Sequence, residues 1–137
     1  RGYVTGITRA ATNEVIVSWS MSHMGPATTQ ICRHRLKSKP QKYPELEAQY
    51  YQTVGFNPFD NILYGVEQGD VVTIKDGLPT TVAEISGPVF DKEPLALGVA
   101  PGIRSLLPLG PGALAVIPKV GMPWLLRDGR LARLTEP

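Results

Sequence analysis

Alternation of apolar and polar residues runs through most of this chain, and helical spacing is confined to one place. Tyr3-Val4-Thr5 and Ile7-Thr8 precede the turn-prone pair Thr12-Asn13, and the run Glu14-Val15-Ile16-Val17-Ser18-Trp19 after it is β-branched, with Val15, Val17 and Trp19 on one face. This pattern predicts an N-terminal hairpin. A loop is expected over Ser20–Thr29, which contains Gly25-Pro26, followed by extended chain over Gln30–Lys39. From Ile62 onward, Ile62–Glu67, Val71–Lys75 and Thr80–Ile85 read as a three-stranded meander with turn signals at Gln68-Gly69-Asp70 and Asp76-Gly77. The clearest hairpin joins Trp124–Arg127 to Arg130–Leu134 through Asp128-Gly129, because a two-residue turn needs residues that tolerate positive φ.

The one expected helix covers residues 44–54. Pro44 suits a first helical position, Glu45 and Glu47 complement the positive end of the helix dipole, and Leu46 and Tyr50 fall on one side with Thr53 or Val54. Gly55 is a natural stop, and Phe56–Asn61 reads as a tight turn with two aromatic anchors.

Composition supports a strand-rich reading. Gly and Pro together make up 27 of 137 residues, roughly a fifth against an average near 12%, which disfavours a helical bundle. The 42% hydrophobic content still supplies a core, so disorder is disfavoured as well. Between Gly87 and Pro123 seven prolines leave no gap wide enough for an ordinary helix, so Val89-Phe90, Leu95–Leu97, Ile103–Leu107 and Ala113–Ile117 are expected as short strands. No convincing internal repeat is found, and the proline spacing near seven does not bring matching side chains with it. The expected fold is one mainly β domain over 1–137, a small barrel or sandwich of about 7–9 short strands. It divides into a basic hairpin and arm at 1–43, the helix at 44–54 and a β-meander core at 62–137.

Charge is unevenly placed, although the net value is only +2. Residues 1–44 carry seven bases against Glu14 alone, and Arg33, Arg35, Lys37 and Lys39, at alternate positions, would form a ladder on one strand face, with Lys42 just beyond. Four cations on one face repel one another unless they meet water, phosphate or a carboxylate. The ordinary reading is a solvated edge strand that discourages aggregation. The functional readings are an acidic protein surface, including the acidic C-terminal part (45–137) of another copy, and nucleic acid, with Tyr43, Tyr50 and Tyr51 near enough to stack on bases.

Candidate chemistry is sparse. His23, Cys32 and His34 are the only soft ligands and lack the paired spacing of a structural zinc site, so no metal is expected. Ser18, Ser20 and Ser22 flank His23 without a nucleophile elbow, and Asp91 with Glu93, or Glu67 with Asp70, read as turn residues. Gly110-Pro111-Gly112 is no phosphate loop, and no cofactor is expected. The lone Cys32 rules out an intrachain disulfide, and together with the absence of a signal-like start it favours a cytoplasmic protein or a particle assembled in the cytoplasm. The chain begins Arg1-Gly2-Tyr3 without a Met, which suggests processing or numbering that omits an N-terminal piece. The window Leu95–Pro118 is long and apolar, but Arg104, Pro101, Pro108 and Pro111 argue against a membrane span.

That same window carries an apolar surplus. Leu106, Leu107, Leu109, Leu114, Val116 and Ile117, with Trp124, exceed what half-buried alternating strands require; the ordinary reading is the core of a small barrel, and the others are strands buried on both faces or a contact between subunits. The sequence therefore favours a non-enzymatic structural protein that packs with copies of itself, or with another protein, into a symmetric oligomer or larger particle. A capsid-decorating, connector or tail protein of a virion would have this chemistry. A nucleic-acid-binding β-barrel using the basic ladder is the first alternative, and an accessory subunit of an enzyme the second.

Overall fold

Strands account for most of the residues described in the computed structural model, which are 2–21, 28–39, 41–42, 51–67, 69–75, 78–84 and 102–134. Twelve strands are present among them. The first sheet comprises β1 (Gly2–Ala11), β2 (Glu14–Met21), β3 (Thr28–Arg35) and β4 (Gln41–Lys42). The middle sheet comprises β5 (Thr53–Asn57), β6 (Ile62–Glu67), β7 (Asp70–Lys75) and β8 (Leu78–Glu84). The third comprises β9 (Ile103–Gly110), β10 (Ala113–Pro118), β11 (Trp124–Arg127) and β12 (Arg130–Arg133). Each sheet is an antiparallel meander whose strands lie side by side in chain order.

The hairpins follow the local turn chemistry. Thr12-Asn13 joins β1 to β2, and Asp128 and Gly129 adopt φ of 49° and 77° between β11 and β12, as a two-residue turn with positive φ requires. Pairing of Trp124 with Arg133 and Arg127 with Arg130 fixes that register.

Several expectations change. No helix occurs among the described residues: Thr53 and Val54 open β5, Tyr51 and Gln52 just before them are not helical, and 43–50 lie outside the described residues. The apolar spacing at the end of the expected helix, and the helix-stopping role assigned to Gly55, belong instead to a strand whose five residues are all buried. No sheet closes into a barrel; twelve strands form three open four-stranded sheets rather than a single unit of 7–9. A repeat is present after all, carried by strand order and not by matching side chains. The loop expected at Ser20–Thr29 gives its ends to β2 and β3, and its middle, 22–27, lies outside the described residues, as do the expected strands at Val89-Phe90 and Leu95–Leu97.

Packing joins the sheets face to face. One cluster sets Ile16 and Ile31 of the first sheet against Val54, Phe56, Leu63, Val72 and Ile74 of the middle sheet, with Tyr51 filling the gap. A second sets Tyr64, Val66, Val71 and Ala83 of the middle sheet against Ile103, Leu106, Leu114, Val116, Trp124 and Leu126 of the third. Alternation along β6 sends Leu63 to one cluster and Tyr64 and Val66 to the other, so β6 is buried on both faces. Full burial of each such side chain stabilises by about 1.5–3 kcal/mol.

The first strands make the closest approaches between sheets. β1 and β9 both pack against β5. A Cβ on Gly6 would lie 2.8 Å from Thr53 Oγ1, and a Cβ on Gly55 would lie 2.8 Å from Leu106 Cβ and 2.9 Å from its carbonyl oxygen. Glycine at these two positions lets neighbouring sheets meet at their first strands.

Candidate interaction surfaces

The basic ladder does not survive folding as a row. β3 ends at Arg35, and Leu36, Lys37 and Ser38 turn the chain, with Lys37 at φ 63°. Lys37 and Lys39 therefore leave the strand face that the period-two reading assigned them. Lys42 sits on β4, paired with Cys32 in the ladder of backbone bonds.

Arg33 and Arg35 meet a carboxylate that the ladder reading counted only as part of the net charge. Glu14 opens β2 directly across from Arg35 and is 7% exposed. Its Oε1 lies 2.9 Å from Arg33 Nε, and its Oε2 accepts from Arg35 Nε at 3.1 Å and from Arg35 Nη2 at 3.0 Å. Two guanidinium groups thus share one carboxylate, which removes much of their mutual repulsion. That Glu14 is the only acid in residues 1–44 is the sequence signal for this role.

Charge is layered by sheet. Residues 45–102 carry nine acids against Lys75 and Lys92, whereas 103–137 carry Arg104, Lys119, Arg127, Arg130 and Arg133 against Asp128 and Glu136. The acidic stretch is the middle of the chain, and the third sheet is basic like the first.

The apolar surplus divides between two environments. Leu106, Leu114, Val116 and Trp124 point into the core against the middle sheet. Leu107 and Leu109 are about half exposed, at 51% and 49%, and Ile117 is half-buried. Because Leu107 pairs with Ala115, and Ala115 with Leu125, these residues share the face of the third sheet turned away from the core.

The first sheet has a matching outer face. Ile16 and Ile31 face the middle sheet, so Val15 and Val17 face outward, with Ile7 opposite Val17 and Val4 opposite Trp19. Val4 and Ile7 are 58% and 66% exposed. Cys32, opposite Val17 in β3, lies on this face and is buried.

Between these faces, β1 and β9 flank a groove of about 610 Å³ beside Pro58. Its walls are largely apolar, including Ile7, Ala10, Leu107 and Ile117.

A polar network holds the middle and third sheets in register and was not recognised in the sequence. Asp60 Oδ2 accepts from Asn57 Nδ2 at 3.1 Å, from Tyr64 Oη at 3.2 Å and from the Gly112 amide at 3.0 Å, while Oδ1 accepts from the Ile62 amide at 3.1 Å. Fully buried Asn57 also donates to the Gly110 carbonyl at 3.0 Å and accepts from the Phe59 amide at 3.0 Å. Burial, with the charge and hydrogen bond of Asp60, pushes the Tyr64 hydroxyl up to about 12. The sequence marked Phe56–Asn61 as a turn, but its partners at Gly110 and Gly112 lie some fifty residues away. Of its two aromatic anchors only Phe56 is buried; Phe59 is exposed.

Tyr51 is wholly buried and its hydroxyl is pushed up to about 12 by desolvation and then by the charge of Glu67, so it is not a surface for stacking bases. Tyr43, Tyr50, His23, Asp91 and Glu93 lie outside the described residues. Among the described residues no three His, Cys, Asp or Glu side chains gather as a metal site would require, and no helix is long and apolar enough to cross a membrane. No protein-family model, curated protein or solved structure matches this chain.

Proposed function

We propose that this protein is a non-enzymatic structural module that assembles through the outer faces of its first and third sheets. The observation that carries this reading is the pair of apolar faces left partly exposed among the described residues, Val4, Ile7 and Val15 on the first sheet and Leu107, Leu109 and Ile117 on the third. A further apolar surface placed on each face would bury what is exposed.

The nucleic-acid alternative loses support because Arg33 and Arg35 are engaged by Glu14 and Tyr51 is buried. Light scattering across concentration and salt tests the reading. Assemblies above 14.9 kDa that persist or tighten at high salt are expected, since both end sheets carry net positive charge that salt screens. A monomer at every concentration and ionic strength overturns it.

A further inference from the structure

We propose that the groove beside β1 and the basic cleft next to it form one binding site for an anionic amphiphile, an apolar chain that ends in a carboxylate or phosphate. The site does not rest on the assembly reading: Val4 and Leu109, on the faces invoked there, line neither cavity.

The apolar half is the groove between β1 and β9. Its volume of about 610 Å³ falls within the usual span of small-molecule sites. Ile7, Ala10, Pro58, Leu107 and Ile117 supply apolar walls, and Arg9 is the only charged residue lining it among the described residues. Ile7 and Leu107 are more than half exposed. An apolar chain laid along the groove removes from water a surface that the fold leaves uncovered.

The polar half is a second cavity, of about 580 Å³, at the end of the first sheet where β1 turns into β2. His34, Arg35 and Lys37 line it together with Arg9, and Glu14 is the only acid among the described residues that do. Pairing of Arg9 with Val15, and of Val15 with His34, sets Arg9 and His34 on one sheet face, about 10 Å apart across the intervening strand. Lys37 joins them through the turn after β3. Its φ of 63° reverses the chain, and the Leu36 amide donates to the Asn13 carbonyl at 2.9 Å, which ties this turn to the one between β1 and β2.

Charge selects the head group. Both oxygens of Glu14 are already engaged, Oε1 by Arg33 and Oε2 by Arg35. Among the described residues no carboxylate pairs with Arg9 or Lys37. The cleft therefore holds cations in excess, and an anion placed among them relieves their repulsion while accepting from the Arg9 guanidinium and the Lys37 ammonium. The two cavities adjoin, because Arg9, Ala11 and Thr12 line both. A single ligand can then run from the apolar groove into the cleft, with Arg9 at the junction. A free phosphate would use the cleft alone, and an uncharged chain the groove alone.

The experiment is isothermal titration calorimetry of the full chain with dodecanoate and with dodecyl phosphate, both kept below micelle-forming concentrations. A single bound molecule per chain is expected. Acetate, inorganic phosphate and uncharged dodecyl maltoside, each of which carries half of the ligand's chemistry, should bind about tenfold more weakly or worse. Arg9→Gln combined with Lys37→Gln should weaken dodecanoate by a similar factor and leave dodecyl maltoside unchanged, and Leu107→Asp should weaken both. All three positions are exposed, so each variant should retain the wild-type circular dichroism spectrum. Dodecanoate and dodecyl maltoside binding alike, inorganic phosphate binding as tightly as dodecyl phosphate, binding to phosphatidylglycerol vesicles without binding of the free amphiphiles, or indifference to the variants would each overturn the site. Light scattering of the same samples separates the two readings: a chain that assembles and takes up no amphiphile overturns this site alone, and a monomer that binds one overturns the assembly reading alone.

Discussion

The middle sheet and the two sheets beside it are built from the same element, a four-stranded antiparallel meander, yet they face different surroundings. β5 and β6 of the middle sheet carry almost uninterrupted burial, because one set of alternate residues faces the first sheet and the other faces the third. In β9 of the third sheet buried and exposed residues interleave, with Ile103 and Leu106 inside and Arg104, Leu107 and Leu109 outside. A strand covered on both faces reads as a continuous apolar run, and one covered on a single face reads as alternation. The difference teaches that cover differs strand by strand: Ile7 of β1 and Leu107 of β9 stay exposed on the face turned from the middle sheet, whereas β10 of the third sheet is buried nearly throughout.

Paired truncations across the third sheet put the most weight on that comparison. Leu114→Ala removes a side chain wholly enclosed against the middle sheet and should cost about 2–5 kcal/mol. Leu107→Ala, on the outer face, should cost under about 1 kcal/mol when measured on the single chain. Urea denaturation of both, at a concentration where the chain is monomeric, measures the gap; equal losses would show that the outer face is already covered within one chain.

The polar tie between the middle and third sheets gives the next effect. Asp60→Ala leaves Asn57 and the Gly112 amide short of partners, a loss of about 1–3 kcal/mol. Its unfolding midpoint should fall, with the near-ultraviolet signal of Trp124 changing as the third sheet loosens from the middle one.

Alkaline pH strikes the same buried surfaces. Tyr51 and Tyr64 are held near 12 in the fold, against an ordinary value of 10, so above pH 10 the unfolded chain releases protons that the folded chain retains. Stability from these groups is intact below pH 10 and is lost as pH rises toward 12. The melting temperature should drop across that window, and Tyr64→Phe should flatten the drop; an unchanged slope would assign the loss elsewhere.

The smallest effect belongs at the solvent-facing end of the first sheet. Glu14→Gln removes the shared carboxylate of Arg33 and Arg35, whose side chains are 35% and 67% exposed. Because water screens both cations, the stability loss should be about 1 kcal/mol or less. A larger loss in thermal unfolding would show that the pair of guanidinium groups is held more tightly than their exposure implies.

Strand positions were largely legible before the fold was known. Ile62–Glu67, Ala113–Ile117 and the Asp128-Gly129 hairpin follow from alternation and turn chemistry within about ten residues. The expected helix at 44–54 failed at its described end because the spacing of Tyr50, Thr53 and Val54 fits helix and strand alike over so short a run. The basic ladder failed because period two was extended past Arg35, where the chain turns at Lys37. The apolar run of the C-terminal third is legible in the sequence, but its division into inward Leu106, Leu114, Val116 and Trp124 and outward Leu107, Leu109 and Ile117 needed the partner sheet.

The sequence by itself determined that the chain is strand-rich, where several of its hairpins turn, and that apolar residues crowd its C-terminal third. These are local matters, governed by φ, by side-chain alternation and by the glycines and prolines that interrupt it. Tertiary structure alone decided that the strands divide into three like sheets, that Glu14 holds Arg33 and Arg35, and that Asp60 reaches Gly112. Those contacts join residues twenty to fifty positions apart, where chain order imposes no geometry and only the burial of one sheet face against another selects the partner.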